Sequence, residues 1–366
     1  MRVPALIRSG WWVAAAAVFI SVGTAWILIE PLFTRPQSGI RQSDFALDQV
    51  TVPRGLVVRA MAKDGVRALT NPPTMTPAEA DRSNEERRGK LLVPDDRVIG
   101  VVFGGKACAY PLRLMRWHEV VNDVVGGEPV AITYSPLCDS AVIFSRSLDH
   151  GVVELGVSGY LYNSNTLLYD ARRDPAESPL WLQLDGRVIA DPGADSASPL
   201  PLRVAALATW GEWRERHPDT RVLAPQQDLE KLYKRDPYHS YFGSDVLHFP
   251  VSPLPPEGPY HLKDRFVIVT VDGTDTAFAL RDLAVAAGAA SGQVEAEVSG
   301  LPLRISFRLD PGTAVVEPLQ GSPKLQAVRH TFWFACYSLA GMIPGTDEIS
   351  APRTRSKSPI VPAGGA

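Results

Sequence analysis

Cys138 lies in the segment Tyr134-Ser-Pro-Leu-Cys-Asp-Ser140, a small polar turn between two apolar, strand-like runs, Pro129–Tyr134 and Ala141–Phe144. A cysteine attacks or ligates through its thiolate, which forms at neutral pH only where a cation, a helix N-terminus or a metal lowers its pKa. Asp139 opposes that unless its carboxylate turns away. His118 is the nearest histidine in sequence and supplies a base or a second ligand. If Gly126-Gly127 closes a hairpin, Glu119–Val125 runs back beside Pro129–Tyr134 and carries His118 toward Cys138. Tyr134 and Ser140 flank the turn. Ser158, Asn163 and Asn165, in Ser158-Gly-Tyr-Leu-Tyr-Asn-Ser-Asn165, add donors and acceptors for a small ligand.

Each of these residues also has a plainer use. Cysteine is often simply a small buried residue. A histidine commonly bonds a neighbouring backbone. Serine and asparagine hold strand connections through side-chain-to-backbone bonds. The sequence names no metal or cofactor: Cys108, Cys138 and Cys336 form no C-x-x-C pair, and His118-Glu119 has Asn122 where a zinc-protease helix needs a second histidine.

The elements that must position these residues read as mostly β, an α+β fold with short helices. Val98–Phe103, the Gly104-Gly105 turn and Ala107–Tyr110 form one hairpin pattern. The 32 prolines and 29 glycines favour short strands and turns. Leu207–His217 has the spacing of an amphipathic helix, with Trp210 and Trp213 on its apolar side. Trp181, Trp210 and Trp213 read as core.

A degenerate repeat organises the body. Asp96-Arg97 aligns with Asp264-Arg265, Tyr110-Pro-Leu-Arg113 with Phe278-Ala-Leu-Arg281, and Pro129–Tyr134 with Pro302–Phe307. The polar residues differ between copies, Cys138 falling on Pro311. The chain divides into an N-terminal anchor (1–30), a linker and arm (31–95), a body (96–345) and a tail (346–366). The body comprises repeat one (96–145), a connecting region (146–263) and repeat two (264–316).

A net charge of −3 gives no electrostatic case for nucleic acid. Trp11–Ile29 carries no charge, follows Arg2 and Arg8, precedes Glu30, and is long enough to cross a bilayer. It predicts a single-pass anchor in the cytoplasmic membrane with the body on the extracytoplasmic side. The alternative is a signal peptide cleaved near Gly23-Thr-Ala25, which would release a secreted body.

Several motifs in one order resemble the bacterial and archaeal domain family of unknown function 3179 (DUF3179). They are Lys63–Pro72, His118–Asp123, Tyr134–Ala141, Ser158–Asn165, Tyr169-Asp170, Trp181-Leu-Gln183, His217–Leu223, Arg235-Asp-Pro-Tyr238 and Phe332-Trp-Phe334. The resemblance spans roughly residues 50 to 345 and implies a secreted or membrane-attached globular domain. Many members carry a cysteine where this chain has Ser135, so the resemblance does not extend to a dithiol here. The Thr-x-Ser-x-Trp pattern of the family is altered at Ala176–Trp181.

Two readings follow. One is a small-molecule or metal site at the Tyr134–Ser140 turn, dependent on Cys138 and assisted by His118. The other is a non-catalytic envelope module, binding or structural, in which Cys138 is buried.

Overall fold

Alternation of apolar and charged residues builds the clearest strands. In Ser291–Val298 and Leu301–Arg308, Val294, Ala296, Leu303 and Ile305 point inward, while Glu295, Glu297 and Arg304 face water. Other strands are buried along their whole length, as in Ser140–Ser145 and Leu155–Tyr162, because both of their faces are covered.

The computed structural model describes residues 44–86, 90–193, 197–320 and 324–340. The chain is mostly β with a few short helices. Strands β1 (Val57–Arg59), β2 (Leu69–Thr70) and β3 (Thr74–Met75) and helix α1 (Pro77–Glu86) precede a hairpin, β4 (Arg97–Phe103) and β5 (Lys106–Pro111). Helix α2 (Leu112–His118) leads into β6 (Val120–Val125), β7 (Glu128–Ser135) and β8 (Ser140–Ser145). A ribbon, β9 (Ser147–Leu148) and β10 (Gly151–Val152), precedes β11 (Leu155–Tyr162), β12 (Asn165–Asp170), β13 (Leu180–Leu182) and β14 (Val188–Ala190). Then come β15 (Leu202–Arg203), β16 (Ala206–Thr209), α3 (Trp210–Arg216), β17 (Arg221–Leu223) and α4 (His239–Phe242). The last stretch holds β18 (Arg265–Val271), β19 (Thr274–Ala279), α5 (Leu280–Ala287), β20 (Ser291–Val298), β21 (Leu301–Arg308), β22 (Thr313–Pro318), β23 (Leu325–Phe332) and α6 (Trp333–Ala340).

Three sheets stack. The central eight-stranded sheet runs β19-β18-β23-β8-β7-β6-β2, with β15 also pairing β8. A second eight-stranded sheet runs β20-β21-β22-β16-β4-β5-β17-β3. The third has five strands, β1-β11-β12-β13-β14. Alternate residues of the central sheet serve two cores. Val120, Ala131, Val142 and Phe144 pack on Leu155, Val157, Leu167 and Trp181 of the five-stranded sheet. Val121, Ile132, Tyr134 and Ile143 pack on Ile99, Val101 and Leu207 of the second sheet.

The Gly126-Gly127 hairpin forms as expected, pairing Val120 with Thr133 and Val125 with Glu128. The helical spacing of 207–217 proves to be two elements, β16 and then α3 from Trp210. Thr209 caps the helix, its hydroxyl accepting from the Glu212 N–H while the Glu212 carboxylate accepts from the Thr209 N–H. Trp210 and Trp213 are core, as is Trp181. The Trp213 ring lies so close to Gly100 on β4 that an added Cβ would sit 2.2 Å from it. Gly100→Ala is therefore expected to destabilise by about 1–3 kcal/mol through overpacking, read by urea denaturation; an unchanged midpoint would contradict that packing.

Among the described residues no helix is long and apolar enough to cross a membrane. The expected anchor (1–30) and tail (346–366) lie outside the described residues.

Candidate functional site

Ser135 and Ser140 pair across the end of β7 and β8 and close the turn between them. Pro136–Cys138 make one turn of 3-10 helix, and Asp139 reverses the chain at φ 46°. That left-handed conformation suits Asp better than most side chains. It turns the carboxylate back under the turn.

There Asp139, only 2% exposed, meets four hydrogen-bond donors. Arg97 of β4 grips it with two bonds of 2.8 Å, Arg265 of β18 donates Nε at 2.7 Å, and the Tyr134 hydroxyl donates at 2.6 Å. A carboxylate offers about four acceptor sites, so this one is saturated. Burial alone would raise its pKa, but the charges of Arg97 and Arg265 and their hydrogen bonds hold it well below the usual carboxylate range. Burial likewise works against the Arg97 cation, and Asp139 outweighs it.

Cys138 has no exposed surface. Its Sγ donates to the Ser164 carbonyl at 3.3 Å, and its own carbonyl accepts from Thr331 Oγ1 at 3.3 Å. Burial pushes the thiol up to about 12, and the charges of Asp139 and Glu119 add to this against hydrogen bonding from Asn165 and Ser135. Tyr241, Phe332, Phe334 and Ala335 enclose it. This is the environment of an inert thiol.

A family model described as a protein of unknown function, DUF3179, matches residues 63–331, a span that includes Arg97, Tyr134, Asp139 and Arg265. The chain belongs to the DUF3179 family. Comparisons with curated proteins and with solved structures found no match.

His118 of this DUF3179 chain faces away from the turn. Its Nδ1 bonds the Arg67 carbonyl at 2.8 Å and its Nε2 the Tyr233 hydroxyl at 2.6 Å. The carbonyl can only accept, so Nδ1 donates to it, and in the neutral ring Nε2 accepts from the hydroxyl. Burial lowers its pKa, consistent with that state. The hairpin thus brings Glu119, and not His118, to the cysteine. Glu119, at φ 56°, caps the end of helix α2 and leads directly into β6. Glu119 is buried, accepts from Thr166 Oγ1 at 2.9 Å, and has its pKa raised to about 7 by burial. The same Thr166 hydroxyl bonds Ser135 Oγ at 3.2 Å.

The other candidates are spent on the fold, with one exception. Ser158 Oγ donates to the Leu167 carbonyl at 2.6 Å and accepts from the Tyr160 N–H at 3.1 Å. Asn163 and Ser164 form the two-residue turn between β11 and β12, both at positive φ, the hairpin geometry that favours asparagine first. The Asn163 side chain clamps Ser252, donating to its carbonyl and accepting from its N–H. Asn165 bonds Gln183 and the Leu184 N–H. Ser140 is the exception: its Oγ is buried without a hydrogen-bond partner. Among the described residues no three His, Cys, Asp or Glu side chains group to hold a metal.

The residues that sequence reasoning passed over are Asp139, Arg97 and Arg265. A signal for them existed. The two arginines are the aligned pair Asp96-Arg97 and Asp264-Arg265, and both reach the residue directly after Cys138.

Proposed function

We propose that this protein is a non-catalytic envelope module, tethered by Trp11–Ile29 with its body outside the cytoplasmic membrane, in which Cys138 is structural. The observation that carries this is the sealed thiol, with no exposed surface and a pKa near 12. At neutral pH such a thiol holds on the order of a thousandfold less thiolate than an ordinary cysteine. The tether rests on the uncharged run Trp11–Ile29 and the arginines before it.

The module is built, on this reading, from two copies of one unit that exchange hairpins. Three observations support it. Each half runs hairpin, helix and three strands, and each hairpin sits in the sheet formed by the other half's three strands. Asp96 pairs Arg113 at 3.2 Å, and its counterpart Asp264 pairs Arg281 at 3.1 Å. The carbonyls of Asp96 and Asp264 accept from Trp210 and Trp333, the first residues of α3 and α6. Asp139 then ties the halves together through one arginine from each.

The test is thiol titration of the native protein beside Cys138→Ser. Cys108, which is partly exposed, is expected to react first. Cys138 and the buried Cys336 are expected to react only on unfolding. A native thiol that reacts fast and vanishes in Cys138→Ser would overturn the proposal and restore a thiol-dependent site.

A further inference from the structure

We infer that the cleft above the Arg97–Asp139 pair is a binding site for a small oxyanion, a phosphate or carboxylate group. The inference rests on reading the body as a non-catalytic envelope module and assigns it a ligand class. The cleft measures about 300 Å³ and lies between helix α2 and the segment Tyr233–Asp236, with Pro311 of the second half at its edge. Five cations line it: Arg97, Arg113, Arg116, Lys234 and Arg235. Arg97, Arg113 and Arg116 are paired with Asp139, Asp96 and Asp236, so the positive excess comes from Lys234 and Arg235 over Asp95. A cleft lined by one excess sign of charge concentrates the opposite ion.

Two cations have the geometry of ligands in waiting. Arg97 has a side chain only 7% exposed, and Asp139 fixes the plane of its guanidinium. The Asp139 oxygens and the Gly312 carbonyl, at 3.4 Å, take three of the five N–H donors of the guanidinium. Arg97 lines the cleft, and its guanidinium, already held in place, meets a ligand without the rotamer loss that a free surface arginine would incur. Arg116 is the second. Its Nη1 pairs with Asp236 at 2.6 Å and its guanidinium lies over the Phe242 ring, yet its Nε is buried without a hydrogen-bond partner. With that Nε sealed off, Arg116 offers an oxyanion its Nη groups, which Asp236 and the Phe242 ring hold in place on the wall of the cleft.

Lys234 and Arg235 stand on the connecting loop, where charge can be reversed without touching the core; Arg235 is held there by its backbone, its carbonyl accepting from Trp117 Nε1 and its N–H donating to the Leu232 carbonyl. The experiment is isothermal titration calorimetry of the full-length protein with inorganic phosphate and, in a separate arm, with succinate, at ionic strength matched with chloride. Saturable one-to-one binding is expected in at least one arm, and the arm that binds names the group as phosphate or carboxylate. The double variant Lys234→Glu/Arg235→Glu, checked as folded by circular dichroism, is expected to bind about tenfold or more weakly. Lys106→Glu, in a separate cleft, is expected to bind like wild type. Absence of saturable binding in both arms overturns the inference. So does equal weakening by Lys106→Glu, or wild-type binding by the double variant. A cysteine silent to titration in a protein that binds neither anion would sink the anion site alone and leave the module reading intact.

Discussion

Asp139→Ala is expected to lower stability by about 3–5 kcal/mol, the range for removing one partner of a buried ion pair and leaving the other uncompensated. The size follows from what stays behind. Arg97 cannot re-solvate, since its side chain is 7% exposed. Arg265 is 31% exposed and can turn partly to water. The Tyr134 hydroxyl, fully buried, also loses its acceptor. Arg97→Ala is therefore expected to cost more than Arg265→Ala, and Asp139→Asn less than Asp139→Ala because it keeps one acceptor oxygen. With a net stability of about 5–15 kcal/mol typical of a folded domain, the alanine variant sits near the edge of folding. The asparagine and Arg265→Ala variants keep the idea testable if it does not accumulate. Urea denaturation at pH 7 reads all four; equal, small losses throughout would mean that Asp139 does not hold β4 and β18 together. The pH sign is fixed by the direction of the shift. A depressed carboxylate contributes stability above its unfolded pKa near 4, and that contribution is lost as pH falls toward the lower folded value.

The importance of Asp139 was only half legible in the sequence. Local signals were reliable where one face of a strand meets water, as in β20 and β21, or where glycine pairs mark a turn, as at Gly126-Gly127. They failed where both faces are covered. In β7, β11 and β12 the polar residues Thr133, Ser135, Ser158 and Asn165 are buried and bonded internally, and ligand binding uses the same residue types. A serine satisfied by its own sheet reads like a serine waiting for a substrate. His118 misled for a related reason. The hairpin pairing was right, but it ends at Glu119, whose positive φ breaks the helix and sends the neighbouring side chains to different places. The convergence of Arg97 and Arg265 on Asp139 joins distant segments, which no local pattern encodes; only the alignment of Asp96-Arg97 with Asp264-Arg265 hinted at it.

Glu119→Gln is expected to flatten a pH dependence and to stabilise the protein in alkaline solution. Glu119 is 4% exposed, and burial raises its pKa from 4.5 to about 7 against the hydrogen bond from Thr166. A carboxyl with a raised folded pKa keeps its proton while the unfolded chain has already lost it. Its contribution is full below pH 4.5, is lost as pH rises through 7, and is constant beyond. At 1.36 kcal/mol per pK unit the span is about 3 kcal/mol, an order-of-magnitude figure. Glutamine has the same shape, carries no proton to lose, and offers the Thr166 hydroxyl, now 2.9 Å from Oε2, the same kind of acceptor. The difference in unfolding free energy between variant and wild type should therefore be near zero at pH 4 and reach about 3 kcal/mol in favour of the variant at pH 8. Taking the difference cancels Asp139 and every other group that titrates alike in both proteins. A difference that stays flat from pH 4 to pH 8 would mean that Glu119 is solvated in the folded state, and the wall beside Cys138 would then be open to water. A rising difference would show that this side of the turn is dry, which is the condition that keeps the thiol inert.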